Sequence, residues 1–378
     1  MKEVKVGYEM GTGQLIEISP SHLIVTGVTQ KSGKTTTLEA LAHRTDGYKI
    51  VVFKTKVGEK TFQGGTPHSL YLRLKSDWQF ISSLIEASMK KKLNDKFISL
   101  IIQCSKKIKN LQDFVNNVEE FLDRPKLSIS DRDGLTNLFA YMEMIIPKLD
   151  QLNFCDKLNL VEGVNVFDLT EFAGDEEVQS LVIGSVLDEI TLKYSYTVTV
   201  IPESWKFIPM RRGSPCKLQI ESLIRQGATN NNFIWIDSQD MANISKAPLK
   251  QISTWILGYQ SEINEVKHTL EQIPEPPDLR PSVLDIMTLK IGQFFVCTSN
   301  EVRLVYVQPI WLEDDSAKAI SLGRESLSGE SYENDDRLNK LFALALLTEN
   351  QELAKEVMAD LLEKYNKRLL DDLRGGEE

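Results

Sequence analysis

The chain has 378 residues, 42% of them hydrophobic and 26% charged, with a formal net charge of −10. That length and balance exclude a disordered or fibrous chain and allow one large or two modest domains around a substantial core. With no apolar run long enough to span a bilayer and no apolar block after Met1-Lys2-Glu3-Val4-Lys5, neither a membrane span nor a secretory leader is expected, and a cytoplasmic setting is.

Apolar runs with strand character occur at 23–25, 48–53, 164–167, 196–201 and 233–236. Between several of them lie helical patterns: Thr36 to His43, and Glu176 to Lys193 with Val178, Leu181, Val182, Val186 and Ile190 at helical spacing. Strand and helix alternating in this way predict an α/β fold with a mainly parallel sheet covered on both faces. Residues 76–150 interrupt the alternation with four helical patterns, 78–93, 97–107, 111–122 and 133–149, which read as a helical insertion. Its runs Lys90-Lys91-Lys92 and Lys106-Lys107-Ile108-Lys109 fit either a solvated helix face or phosphate contacts. The core is therefore expected to comprise 1–75 and 151–312. Near its end, 292–298 and 302–308 flank Ser299-Asn300 and read as a hairpin at one edge of the sheet. The acidic, Ser- and Gly-rich stretch 313–336 reads as a flexible linker, and 337–378 as a C-terminal helical tail with Leu353, Val357, Leu361, Tyr365 and Leu369 on one stripe. Residues 313–378 carry 17 acidic and 9 basic side chains, so the rest of the chain is nearly neutral and a local basic surface for DNA remains open.

The segment Leu23-Ile24-Val25-Thr26-Gly27 followed by Val28-Thr29-Gln30-Lys31-Ser32-Gly33-Lys34-Thr35-Thr36 has the form of a phosphate-binding loop. A buried strand, a turn of small residues and a helix start direct several backbone N–H groups and the positive helix end at one anion. Gly27, Thr29, Gln30, Lys31, Ser32, Gly33, Lys34, Thr35 and Thr36 are the expected nucleotide contacts. Lys34 would reach the β- and γ-phosphates of ATP, and the Thr35 hydroxyl would ligate Mg²⁺. Five residues separate Gly27 from Gly33 where four are usual, so the loop is either one residue longer or anchored at Val28.

Such a loop needs an acid near the attacking water, and Thr197-Val198-Thr199-Val200-Ile201-Pro202-Glu203 ends an apolar run in Glu203. Pro202 stands where an aspartate usually holds a metal-bound water, so weak Mg²⁺ binding is expected; Asp168, ending the 164–167 run, is a candidate for the missing carboxylate. Gln239, after Phe233-Ile234-Trp235-Ile236-Asp237-Ser238, would meet the γ-phosphate or cap the next helix. Arg225 is placed to neutralise transition-state charge in a neighbouring subunit, with Arg211 and Arg212 competing for the role. The scattered cysteines (Cys104, Cys155, Cys216, Cys297) and histidines (His22, His43, His68, His268) form no metal-binding pattern.

With the phosphate loop, Pro202-Glu203-Ser204-Trp205, Ile224-Arg225-Gln226-Gly227, Ile236-Asp237-Ser238-Gln239 and then Gln251 to Gly258 in this order, the chain resembles the HerA/FtsK superfamily of P-loop ATPases over residues 20–310. The resemblance implies a RecA-like core and an ATPase of the archaeal HerA-like or conjugation type. It also implies a homo-oligomeric, usually hexameric, DNA-pumping motor, with Glu203, Gln239 and Arg225 in the catalytic, sensor and arginine positions. With about twenty residues before the first expected strand, the N-terminal β-barrel of HerA-type motors is not expected in this sequence. A second function, an ATP-gated assembly module that recruits a nuclease or other protein, competes with it.

Overall fold

The computed structural model describes residues 2–28, 32–72, 78–89, 93–108, 111–150, 154–155, 157–210, 214, 216–299 and 301–324. The five apolar runs, joined by β5 and β11, form seven parallel strands in one sheet: β3 (Leu23–Thr26), β4 (Lys49–Lys54), β5 (Thr66–His68), β8 (Gly163–Asp168), β9 (Thr197–Ile201), β10 (Asn232–Ser238) and β11 (Thr254–Leu257). Their spatial order is β11-β3-β10-β9-β4-β8-β5. The phosphate-loop strand β3 thus lies inside the sheet, and β10 separates it from β9.

An antiparallel wing extends the β11 side through β12 (Gln293–Thr298), β13 (Glu301–Val307), β1 (Val4–Glu9) and β2 (Leu15–Ile18). The expected hairpin is β12–β13, but it is not the edge, because β1 and β2 continue the sheet beyond it. Two strands therefore precede β3 where none was expected. They are short, and Gly7 interrupts the alternation at a register shift where a Cβ would lie 2.0 Å from the Tyr306 carbonyl oxygen.

Strand side chains alternate between two buried layers. One face carries Val25, Val52, Val198, Val200 and Trp235 against Leu38 and Leu41 of α1 (Lys34–His43). The other carries Ile24, Phe53, Ile201 and Ile236 against α6 (Glu176–Lys193), α7 (Lys217–Gln226), α8 (Lys246–Leu249), α9 (Ile263–Gln272) and α10 (Val283–Thr288). The fold is the expected α/β one.

Four helices, α2 (Trp78–Met89), α3 (Asp95–Cys104), α4 (Leu111–Leu122) and α5 (Ile129–Asp150), lie between two short strands, β6 (Leu70–Tyr71) and β7 (Phe154–Cys155), which pair with each other. They bury a cluster of their own, including Ile81, Ile101, Phe114 and Leu138, to which α6 adds Leu181. That contact explains why α6 is buried around nearly its whole circumference. The stretch expected to be a flexible linker instead begins as a helix, α11 (Asp314–Ser321), whose buried Ala317 packs with Tyr8 and Tyr306. Two aspartates in its first turn favour the helix dipole, so the acidic composition there is a helix start. The tail at 337–378 and its apolar stripe lie outside the described residues, as do Lys90, Lys91, Lys92 and Lys109.

Candidate nucleotide site

The carboxyl ends of β3, β10, β9 and β4 bring the expected chemistry together. After β3, Gly27 takes φ +151°, and a Cβ there would lie 2.9 Å from Ser32, so the turn starts at Gly27. Ser32 Oγ donates to the Val28 carbonyl at 2.7 Å, and Val28 N–H donates to the Tyr259 carbonyl at 2.9 Å. Gly33, with φ +77°, forms the N-cap of α1, and Lys34, Thr35 and Thr36 open that helix. Thr29, Gln30 and Lys31 lie outside the described residues.

The Lys34 ammonium donates to the carbonyls of Gly27 at 2.9 Å and Val28 at 2.8 Å. Burial pushes it below the ordinary lysine value; Asp237 and Glu203 oppose that, and Lys56 reinforces it. A half-buried cation satisfied by its own loop's carbonyls is arranged to exchange them for an anion. The loop therefore fits a phosphate chain, and the Thr35 hydroxyl at the helix start fits the hard oxygen-ligand chemistry of Mg²⁺.

Glu203 follows β9 in a left-handed conformation, φ 51° and ψ 44°, which costs a non-glycine residue about 1–3 kcal/mol. Two bonds to β10 hold that turn: Glu203 N–H donates to Asp237 Oδ1, and Ser204 Oγ donates to the Asp237 carbonyl at 2.8 Å. The Glu203 carboxylate pairs with Lys56, 2.5 Å away at the end of β4, and with Lys206 at 2.6 Å. Burial alone would raise its pKa, but Lys206 and Lys56 together bring it below the usual carboxylate value. Glu203 is therefore ionised and parked between two cations.

Asp237, absent from the expected site residues, is the acid nearest the loop in electrostatic terms. Burial raises its pKa and Lys34 opposes that more strongly than any other group. Its sequence signal was an acid ending a wholly apolar strand two residues before Gln239; only the strand order reveals what it faces. Gln239 follows β10 at the same edge and is half-buried. Asp168 is a correction: it ends β8, four strands from β3, roughly 19 Å at the usual spacing, and its carboxylate accepts from Thr170 N–H and Oγ1. Arg225 is exposed in the last turn of α7, before β10 starts, so the length of β10, about 20 Å, separates it from this subunit's loop. Arg211 and Arg212 lie outside the described residues.

Comparison with solved structures agrees with this architecture. The VirB4 structure from Thermoanaerobacter pseudethanolicus superposes with a TM-score of 0.63 over 81% of this chain and 96% of VirB4, at 10% identity. The chain shares the RecA-like α/β fold, a large mostly parallel sheet covered by helices. The bacterial conjugative coupling protein TrwB, lacking its first 70 residues, matches with a TM-score of 0.54 over 86% of this chain and 96% of TrwB, at 11% identity. TrwB in complex with a non-hydrolysable ATP analogue matches with a TM-score of 0.56 over 81% of this chain and 90% of TrwB, at 11% identity. No family model and no curated protein matches the sequence. No helix among the described residues is long and apolar enough to cross a membrane, and no described group of His, Cys, Asp or Glu is arranged to hold a metal by itself.

Proposed function

We propose that the chain is an ATP-hydrolysing subunit of an oligomeric, hexameric ring motor that moves DNA. The observation that carries this reading is the meeting of Lys34, Glu203 and Asp237 at the carboxyl edge of three adjacent strands. The nucleotide-bound TrwB structures, one with the ATP analogue and one with ADP and Mg²⁺, support ATP and Mg²⁺ as ligands of a loop in this place.

In this reading the loop amides from Gly27 to Gly33 and the start of α1 bind the phosphates, and Lys34 leaves its carbonyls to meet the β- and γ-oxygens. Thr35 offers its hydroxyl to Mg²⁺, which when bound neutralises charge on the phosphate oxygens. Glu203 orients the attacking water and receives its proton as the new P–O bond forms and the bond to the β–γ bridging oxygen breaks. Gln239 contacts the γ-phosphate, and Arg225 acts across an interface in a neighbour's site, which makes turnover depend on assembly. Residues 76–150 serve as a docking insertion on the core formed by 1–75 and 151–312. A cytoplasmic setting, where ATP and DNA are accessible, belongs to the same proposal. Lys34→Ala is expected to abolish nucleotide binding and Glu203→Gln to retain ATP while blocking turnover; normal hydrolysis by Glu203→Gln would overturn the assignment.

The parked state of Glu203 favours a second reading, an ATP-gated assembly module that recruits a nuclease or another protein with slow hydrolysis. A motor's turnover rises severalfold with duplex DNA as Lys56 and Lys206 release Glu203, whereas the turnover of a module is indifferent to DNA.

A further inference from the structure

Pro202 leaves the turn before Glu203 without a carboxylate, but the neighbouring strand has one at the same level. β9 and β10 run parallel with Ile201 opposite Ile236, so the chain leaves β9 at Pro202 beside the level of Asp237. On the other side of β10, Asp237 is level with Val25 and Ser238 with Thr26, the residue before Gly27. Asp237 is therefore one strand closer to the phosphate loop than Pro202. Alternation puts Asp237 on the face of Phe233 and Trp235, which pack with Val198 and Val200 toward α1, the helix that carries Lys34 and Thr35. The Asp237 residue is only 2% exposed, with Oδ1 taken by Glu203 N–H.

We infer that Asp237 is a positioning residue that replaces, from the sensor strand, the carboxylate missing at Pro202, and holds a water of the Mg²⁺ bound with ATP. A single strand would then orient both the Glu203 turn and the metal's water, leaving β9 free to carry proline. This inference rests on the ATP-binding reading above. Glu59 is the competing acid: it is electrostatically coupled to Asp237, and its Oε2 is buried without a hydrogen-bond partner.

The test is a Mg²⁺ titration of the full chain's affinity for a fluorescent, non-hydrolysable ATP analogue, with Mn²⁺ binding followed in parallel by electron paramagnetic resonance. Asp237→Asn is expected to raise the half-saturating Mg²⁺ by about 10–100-fold, the usual effect of losing a group that orients a metal's ligand. Adding Pro202→Asp to that variant should restore the wild-type midpoint, which a purely structural aspartate would not allow. Pro202→Asp alone should leave the midpoint unchanged, because the position is already served. An unchanged midpoint in Asp237→Asn, a failed restoration, a marked tightening in Pro202→Asp alone, or a shift produced by Glu59→Gln in place of Asp237→Asn would each overturn the inference. Wild-type protein that binds no analogue at any Mg²⁺ level would instead overturn the ATP-binding reading itself.

Discussion

In the helical insertion, Asn94 caps α3 by accepting from Phe97 N–H, Ser128 accepts from Asp131 N–H, and the shared cluster is apolar. At the carboxyl edge of the sheet, Glu203 occupies a left-handed conformation, Lys34 bonds to its own loop, and Asp237 is a buried acid. The insertion follows local rules at most positions, and its exceptions, Pro147 inside α5, the left-handed Lys107 at φ 64° and the buried unpartnered Ser82 hydroxyl, are scattered along it, as expected of a segment whose task is to fold and present a surface. The edge breaks several of them within a few residues, and the tertiary structure offsets each violation with a partner from another strand. Such concentrated conflict marks the place where chemistry, more than stability, set the residues.

Four experiments break or sharpen this contrast. The largest effect is expected at the edge: Glu203→Gln should lower kcat by about 10²–10⁴-fold, in the range of a lost general base, with the unfolding midpoint nearly unchanged. An equal loss of stability would mean that the carboxylate serves the fold. In the insertion the expectation reverses. Phe114, fully buried in the helical cluster, should cost about 3–5 kcal/mol in denaturant unfolding when changed to alanine, while affinity for the ATP analogue stays the same.

The third concerns His22, just before β3, whose Nδ1 accepts from Ile234 N–H at 3.1 Å. Burial lowers its pKa to about 4, below the ordinary 6.5. Because the unfolded chain takes up this proton first, stability should fall as pH drops from 6.5 toward 4 and then level off. The loss from this group is about 3 kcal/mol, and His22→Asn should remove that part of the pH dependence in parallel unfolding curves. The smallest effect is at the α3 cap, where Asn94→Ala should destabilise by about 1 kcal/mol without altering turnover. A change in turnover there would show that the insertion and the nucleotide edge are coupled.

Residue pattern made the insertion and the parallel core legible. α4 was expected at its observed bounds, α6 likewise, and β4, β8, β9 and β10 within two residues, because buried strands and amphipathic helices carry their periodicity locally. β1, β2 and β5 were not legible: six residues or fewer each, with a glycine or proline inside two of them, they become strands only by pairing, β1 with β13, β2 with β1 and β5 with β8. The start of α11 was hidden by its acidity, which suits a linker and a helix N-terminus equally.

The sequence alone determined that Gly33, Lys34 and Thr35 open a helix after an apolar strand and that Glu203 follows another, since both are properties of contiguous residues. Only the tertiary structure decided that β10 runs between those two strands, which makes Asp237 the neighbour of Pro202 and Lys34 and removes Asp168. Strand order is settled by packing among segments far apart in the chain, and no local pattern encodes which carboxylate ends up one strand away.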